Sequence, residues 1–136
     1  FFSDAKNLAK ITPPILNFQI TKVSEGPLKS GALIEYRLKV HGLPLHWQTR
    51  IDEWHPPREF VDTQLKGPYH TWIHRHTFED LGSGTLMRDT VRYRLPLGAV
   101  GWLGGIGLVK RDISKIFAYR REVIAGLPQF RPGLQV

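Results

Sequence analysis

Leu33-Ile34-Glu35-Tyr36-Arg37-Leu38-Lys39-Val40 and Leu45-His46-Trp47-Gln48-Thr49-Arg50-Ile51, separated by His41-Gly42-Leu43-Pro44, decide the fold of this chain. In the first run Ile34, Tyr36, Leu38 and Val40 alternate with Glu35, Arg37 and Lys39. Side chains two apart share a face of a strand, so this pattern predicts one buried and one wet face. Leu45, Trp47, Thr49 and Ile51 repeat the period in a second strand that runs to about Trp54. The short turn-rich link makes the two a hairpin. Pairing Val40 with Leu45 sets Leu38 beside Trp47 and Tyr36 beside Thr49, which keeps the apolar side chains together.

Working outward, strand-like runs recur at Asn17 to Val23, Glu59 to Leu65, His70 to Glu79 and Thr85 to Leu95. His55-Pro56-Pro57-Arg58, Lys66-Gly67-Pro68 and Asp80-Leu81-Gly82-Ser83-Gly84 separate them as turns. At the start, Phe2, Ala5, Leu8 and Ile11 have helical spacing, and Thr12-Pro13-Pro14 stops that segment. After Pro96 the period changes. Leu103, Ile106, Ile113, Ile116, Phe117, Val123 and Ile124 predict one long helix from about Val100 to Ile124, ended by Gly126 and Pro128. Many antiparallel strands followed by one helix is an α+β arrangement, not alternating βαβ. The helix is the only long apolar element able to cover the sheet, and a curved sheet around it leaves room for a small ligand.

The totals agree with one folded domain. The chain has 136 residues, 41% hydrophobic and 23% charged, and no cysteine. Disulfides, thiolate nucleophiles and cysteine-based zinc sites are therefore excluded. The net charge of +7 favours anionic partners such as an acidic membrane surface, with transient contact as the expectation. The plainer reading is a solvated basic surface, because Lys and Arg are scattered and form no nucleic-acid motif. The longest uncharged stretch, Leu95 to Val109, is shorter than the ~20 residues of a membrane span. Without a basic leader before Phe1-Phe2-Ser3-Asp4, a soluble, cytoplasmic protein is expected.

Several segments resemble the START-like (SRPBCC) superfamily, in its polyketide cyclase/dehydrase and lipid-transport branch. They are Phe2-Ser3-Asp4-Ala5-Lys6-Asn7-Leu8, Trp54-His55-Pro56-Pro57, Phe60-Val61-Asp62, Gly67-Pro68-Tyr69, Trp72-Ile73-His74-Arg75-His76-Thr77-Phe78, Gly84-Thr85-Leu86-Met87-Arg88-Asp89 and Tyr93-Arg94-Leu95-Pro96-Leu97-Gly98. The resemblance spans nearly the whole chain and implies a helix-grip domain over residues 1–136, with 127–136 as a tail. It also implies a cavity for lipids, sterols, polyketides, quinones or similar apolar molecules, with catalysis in only some members. Family members begin with a strand and the start of a helix, and neither stands before Phe1 in this numbering: either the numbered chain omits that segment or the protein is truncated, and a missing strand would leave a sheet edge unpaired.

The chemistry-bearing residues fall on one sheet face. Trp72, His74, His76 and Phe78 share a face of one strand; Met87, Asp89, Val91, Tyr93 and Leu95 share one of the next. Registering Phe78 with Thr85 places His76 opposite Met87, His74 opposite Asp89, and Trp72 opposite Val91. His74 then reads as a general base and Asp89 as its orienter, or the pair is a buried hydrogen bond that orders the sheet. His74-x-His76, with His70 on the same face, has chelating spacing but lacks an evident third ligand, so neither a metal nor a cofactor is expected. If Phe60 faces inward, so do Asp62 and Gln64, and the resemblance favours that side. Tyr36, Trp47, Trp72, His76, Met87 and Tyr93 complete the expected lining. Arg120, in helical register with Phe117 and Ile124, is positioned to neutralise an anionic ligand.

Gly98-x-x-Gly101-x-x-Gly104-Gly105-x-Gly107 lacks the Gly-Lys-Ser/Thr ending of a phosphate loop. Its glycines suggest close approach of the helix backbone, an apolar gate with Trp102 and Leu103 exposed, or an irregular helix entry. Three functions are open: binding or transport of an apolar or amphipathic ligand, a cyclase/dehydratase using His74 and Asp89, and a regulatory partner that never releases its ligand.

Overall fold

The computed structural model describes residues 1–128 and 130. Two short 3-10 segments, Ala5–Ile11 and Pro14–Leu16, precede six strands: β1 Gln19–Val23, β2 Leu33–Val40, β3 Leu43–His55, β4 Glu59–Lys66, β5 Thr71–Asp80 and β6 Thr85–Arg94. Helix α1 follows, Gly98–Ala125. All strands are antiparallel and lie in chain order, β1-β2-β3-β4-β5-β6. The expected α+β helix-grip arrangement is what forms. The N-terminal segment, expected as the end of an α-helix, is a 3-10 helix with Asp4 as its cap, accepting from the Lys6 amide at 2.9 Å.

Both long hairpins pair two residues away from the expected register. Between β2 and β3 the turn is only His41-Gly42, at φ 50° and 78°. Positive φ at both central positions is the requirement of a type I′ turn, whose twist matches the strands it joins. Val40 therefore pairs with Leu43, Leu38 with Leu45, and Tyr36 with Trp47. Between β5 and β6, Asp80 pairs with Thr85 across a turn closed by the Leu81 amide on the Gly84 carbonyl at 2.9 Å. That sets Phe78 opposite Met87, His76 opposite Asp89, His74 opposite Val91 and Trp72 opposite Tyr93. A slip of two preserves the face of every side chain, so the concave set is unchanged.

Two apolar clusters hold the layers together. One joins Ala5, Leu28, Ala32, Ile34, Ile51 and Phe60. The other, Ile11, Met87, Ile124 and Phe130, clamps the C-terminal end of α1 to the sheet and to the N-terminal segment. Met87 and Ile124 are fully buried, each worth roughly 1.5–3 kcal/mol of transfer free energy. Further toward its start, α1 stands over open space: Val109, Ile113, Ile116 and Phe117 line a cavity.

Among the described residues, Gly104, Gly105 and Gly107 of α1 do not reflect close packing. A Cβ at Gly104 or Gly107 would meet nothing within 4 Å, and at Gly105 only Leu95 Cδ1 at 4.0 Å. Leu103 is exposed, and the side chain of Trp102 lies outside the described residues. Among the described residues, no helix is long and apolar enough to cross a membrane.

Candidate ligand-binding site

Curvature of the sheet and the stand-off of α1 enclose a cavity of about 420 Å³. This lies within the range of small-molecule sites, roughly 300–1,000 Å³. Its walls are mostly apolar. Leu38, Val40, Leu45, Trp47 and Trp72 come from the sheet, Ile113, Ile116 and Phe117 from the helix, and Leu8, Leu16 and Phe18 from the N-terminal segments. Tyr36 and Trp47 stack at 5.8 Å, and Trp47 meets Trp72 edge-on at 5.4 Å, so one wall is a continuous aromatic surface. His41 Nε2 reaches Asp112 Oδ2 at 2.7 Å and ties the β2–β3 turn to α1.

One end of the cavity is polar, built from β4, β5, β6 and α1. Asp62 and His74 are cross-strand partners, as are His76 and Asp89. His74 Nε2–H donates to Asp89 Oδ1 at 2.9 Å, and His76 Nε2–H donates to Asp62 Oδ2 at 2.7 Å. His76 Nδ1 lies 2.9 Å from Asp89 Oδ1. Arg120 Nε donates to Asp89 Oδ2 at 2.8 Å, and its guanidinium carbon lies 5.4 Å from the centre of the Phe2 ring. Phe60 stacks on His76 at 3.9 Å. His74 Nδ1 makes no hydrogen bond among the described residues and lies 3.8 Å from Asp62 Oδ2.

Burial and partners divide the protonation states. Burial, then the neighbouring His76, pull His74 down to about 4 against the partial support of Asp89. Burial raises Asp62 and Asp89, but this is outweighed: at Asp62 by the His76 hydrogen bond and nearby positive charge, at Asp89 by both histidines and Arg120. Both carboxyls end below their usual range. Neutral imidazole at His74 beside two carboxylates is the state at neutral pH.

Below its usual 6.5 the unfolded His74 takes up a proton that the folded protein refuses until about 4. Stability therefore falls as pH drops through that window. The contribution of Asp62 and Asp89 is intact above 3.8 and is lost only at lower pH, as each falls through its depressed folded value. Urea midpoints measured across this range should decline below pH 6.5, and His74→Asn should flatten the limb between 6.5 and 4. An equal slope in the variant would remove His74 as its source.

The expected site residues divide into three groups. Tyr36, Trp47, Asp62, Trp72, His74, His76 and Arg120 line the cavity. Asp89 sits behind the two histidines, held by Arg120. Met87, Gln64 and Tyr93 are not part of the lining. Met87 points into the core with Ile11, Ile124 and Phe130, where the end of α1 closes on the sheet. Gln64 braces the β4–β5 turn, donating to the Tyr69 carbonyl at 2.7 Å. Tyr93 packs outside Trp72 and Tyr69. Arg120 is not a free cation for an anionic ligand, since Asp89 already neutralises it. The Asp62–His76 bond and the approach of Phe2 to Arg120 are not evident in the sequence. Cross-strand register is the missing information for the first, and Phe2 shows only as a helical-spacing apolar residue.

Two buried polar atoms lack partners among the described residues: Trp47 Nε1 and Thr49 Oγ1. Both residues line the cavity. Burial, and next the charge of Asp62, hold the nearby Tyr36 phenol well above its usual value, so it stays protonated.

The sequence matches the family model described as polyketide cyclase / dehydrase and lipid transport over residues 1–117. The chain belongs to this family. Its members' fold recurs in solved structures at low identity. The crystal structure of Ara h 8.0201 superposes with a TM-score of 0.58 at 16% identity, covering 91% of this chain and 87% of that one. TTHA0849 from Thermus thermophilus superposes with a TM-score of 0.54 at 17% identity, covering 89% and 85%. Such identities establish the shared fold alone. No curated protein matches the sequence. The family and fold make this a ligand-binding architecture for small hydrophobic molecules.

Proposed function

We propose that this family member binds or transports one small apolar or amphipathic molecule of the lipid, quinone or polyketide kind, with an oxygen acceptor on its apolar body. The observation that carries this reading is the apolar-walled cavity of about 420 Å³, and its acceptor preference is inferred from Trp47, a lining residue whose buried N–H has no partner among the described residues. A buried donor without a partner costs about 1–3 kcal/mol, a cost that a ligand carbonyl or hydroxyl oxygen would remove. A purely hydrocarbon ligand would leave it in place. Trp47→Phe keeps the ring surface and removes the donor. Its expected result is unchanged or slightly higher stability with roughly 5- to 100-fold weaker binding of an oxygenated ligand. Calorimetric titration with a matched pair, such as a long-chain ketone and its parent alkane, reads this. Equal losses for both molecules would sink the acceptor assignment.

A second reading, a cyclase/dehydratase-type enzyme, is favoured by one feature: His74 offers a free Nδ1 while Asp89 holds its opposite nitrogen. Such an orienter fixes the tautomer and leaves Nδ1, on an imidazole that burial holds at about 4, as the acceptor for a proton from carbon alpha to a ligand carbonyl. In this reading His74→Asn keeps ligand affinity within a few-fold and loses turnover of a poly-β-keto thioester by about 100-fold or more. Product formation followed by mass spectrometry decides it; wild-type protein that leaves the substrate unchanged returns the chain to the binding reading.

A further inference from the structure

We propose that Asp62, His74 and His76 form a binding site for one divalent first-row transition-metal ion, with an open coordination position toward the cavity. The inference goes beyond ligand holding and does not depend on it.

The donor set comes first. One carboxylate oxygen and one nitrogen from each imidazole lie within 4.8 Å of one another, and both histidines are buried. Nitrogen and oxygen donors about 2.0–2.1 Å from a tetrahedral ion stand roughly 3.3 Å apart. The present separations straddle this: Asp62 Oδ2 is 2.7 Å from His76 Nε2 and 3.8 Å from His74 Nδ1. Shifts of about half an ångström would bring these two separations to that spacing. It would replace the proton that His76 Nε2 directs at Asp62.

The second observation is the outer layer. Histidines that ligate metals almost always give their other N–H to a carboxylate or carbonyl, which fixes the ring and raises its basicity. Here Asp89 accepts the N–H of His74, while His76 Nδ1 faces both Asp89 and Arg120 Nη2, the latter at 3.3 Å. Asp89 Oδ1 lies 2.9 Å from His74 Nε2 and 2.9 Å from His76 Nδ1, the two nitrogens facing away from Asp62. Arg120 in turn holds Asp89 at 2.8 Å. A metal and the Asp89 contacts therefore use opposite edges of the imidazoles and do not compete. The third ligand that His74-x-His76 lacks in sequence comes from the adjacent strand, where Asp62 pairs with His74; His70 is exposed and takes no part.

Charge favours a cation as well. Arg120 and Asp89 cancel, which leaves the Asp62 carboxylate as the charge offered to a dication. Two histidines and a carboxylate, with space beside them, suit zinc or iron(II) and leave a place for a ligand oxygen or water. All three donor residues line the cavity, so that place opens into it.

The test uses the whole chain, stripped of metal and titrated with Co2+ and Zn2+. Tight binding of one ion per chain is expected, with Co2+ giving the visible absorption of a four- or five-coordinate site. His74→Ala and Asp62→Asn, each checked for folding by circular dichroism, should abolish that absorption. Asp89→Asn should weaken binding about 10- to 100-fold without abolishing it. The half-exposed cluster Glu53, His55 and Glu59 is the control. Unchanged binding in His55→Ala supports the inner site, whereas loss of binding there overturns it. So does the absence of one-per-chain binding in the wild type, or Co2+ absorption that survives in folded Asp62→Asn.

Discussion

Replacing Arg120 with alanine should destabilise the protein by about 3–5 kcal/mol, the largest effect expected of any single polar change. Both Arg120 and Asp89 are nearly fully removed from water, with side chains 8% and 7% exposed. The pair need not be strongly stabilising as a whole, since burying two charges costs much of what their attraction returns. Removing one member is different. Asp89 would keep two histidine contacts but lose its cation, and Phe2 would lose the guanidinium over its ring. Urea denaturation at pH 7 measures the loss. Arg120→Ala combined with Asp89→Asn should recover part of it, because the uncompensated charge is gone. A double variant no more stable than Arg120→Ala would show that packing of the arginine stem, not charge, dominates.

Met87→Ala should lose about 2–5 kcal/mol while ligand affinity changes less than about two-fold. Met87 is fully buried against Ile11, Ile124 and Phe130, away from the cavity lining. A truncated side chain there opens a hole between α1 and the sheet at the clamped end. Thermal or chemical denaturation gives the first number, and titration with an apolar ligand well below the melting temperature gives the second. A small stability change paired with a large affinity change would return Met87 to the cavity wall.

The contrast between Met87 and Trp47 shows how far the sequence alone carries the argument. Period-2 alternation assigns faces, and every face assignment on β2, β3, β5 and β6 survives because both registers differ from expectation by two residues. Register itself depends on turn backbone. His41 at positive φ is not evident from a histidine in that position, so a two-residue turn reads as a four-residue one. Face alone also cannot say where along a strand the cavity stops. Met87 and Asp89 point the same way, yet one enters the core and the other braces the histidines. The polar end is legible only in part. The pattern pairs His74 with Asp89, and they do meet, but diagonally, with His76 directly opposite Asp89. Asp62 can be placed inward only through family resemblance, since Phe60 and Val61 on adjacent positions are both buried.

The central claim is that the space between sheet and helix holds a single apolar molecule, and an environment-sensitive apolar fluorophore tests it most directly. Protein stripped of lipid by organic extraction and refolded is titrated with the dye, alongside a variant carrying Ile113→Trp and Ile116→Trp, which project indoles into the cavity from α1. The account predicts saturable binding of one dye per chain, displaced by long-chain ketones, and sharply weaker binding in the folded double variant. Saturable binding of equal strength in both proteins, or no saturable binding to the wild type, would contradict it.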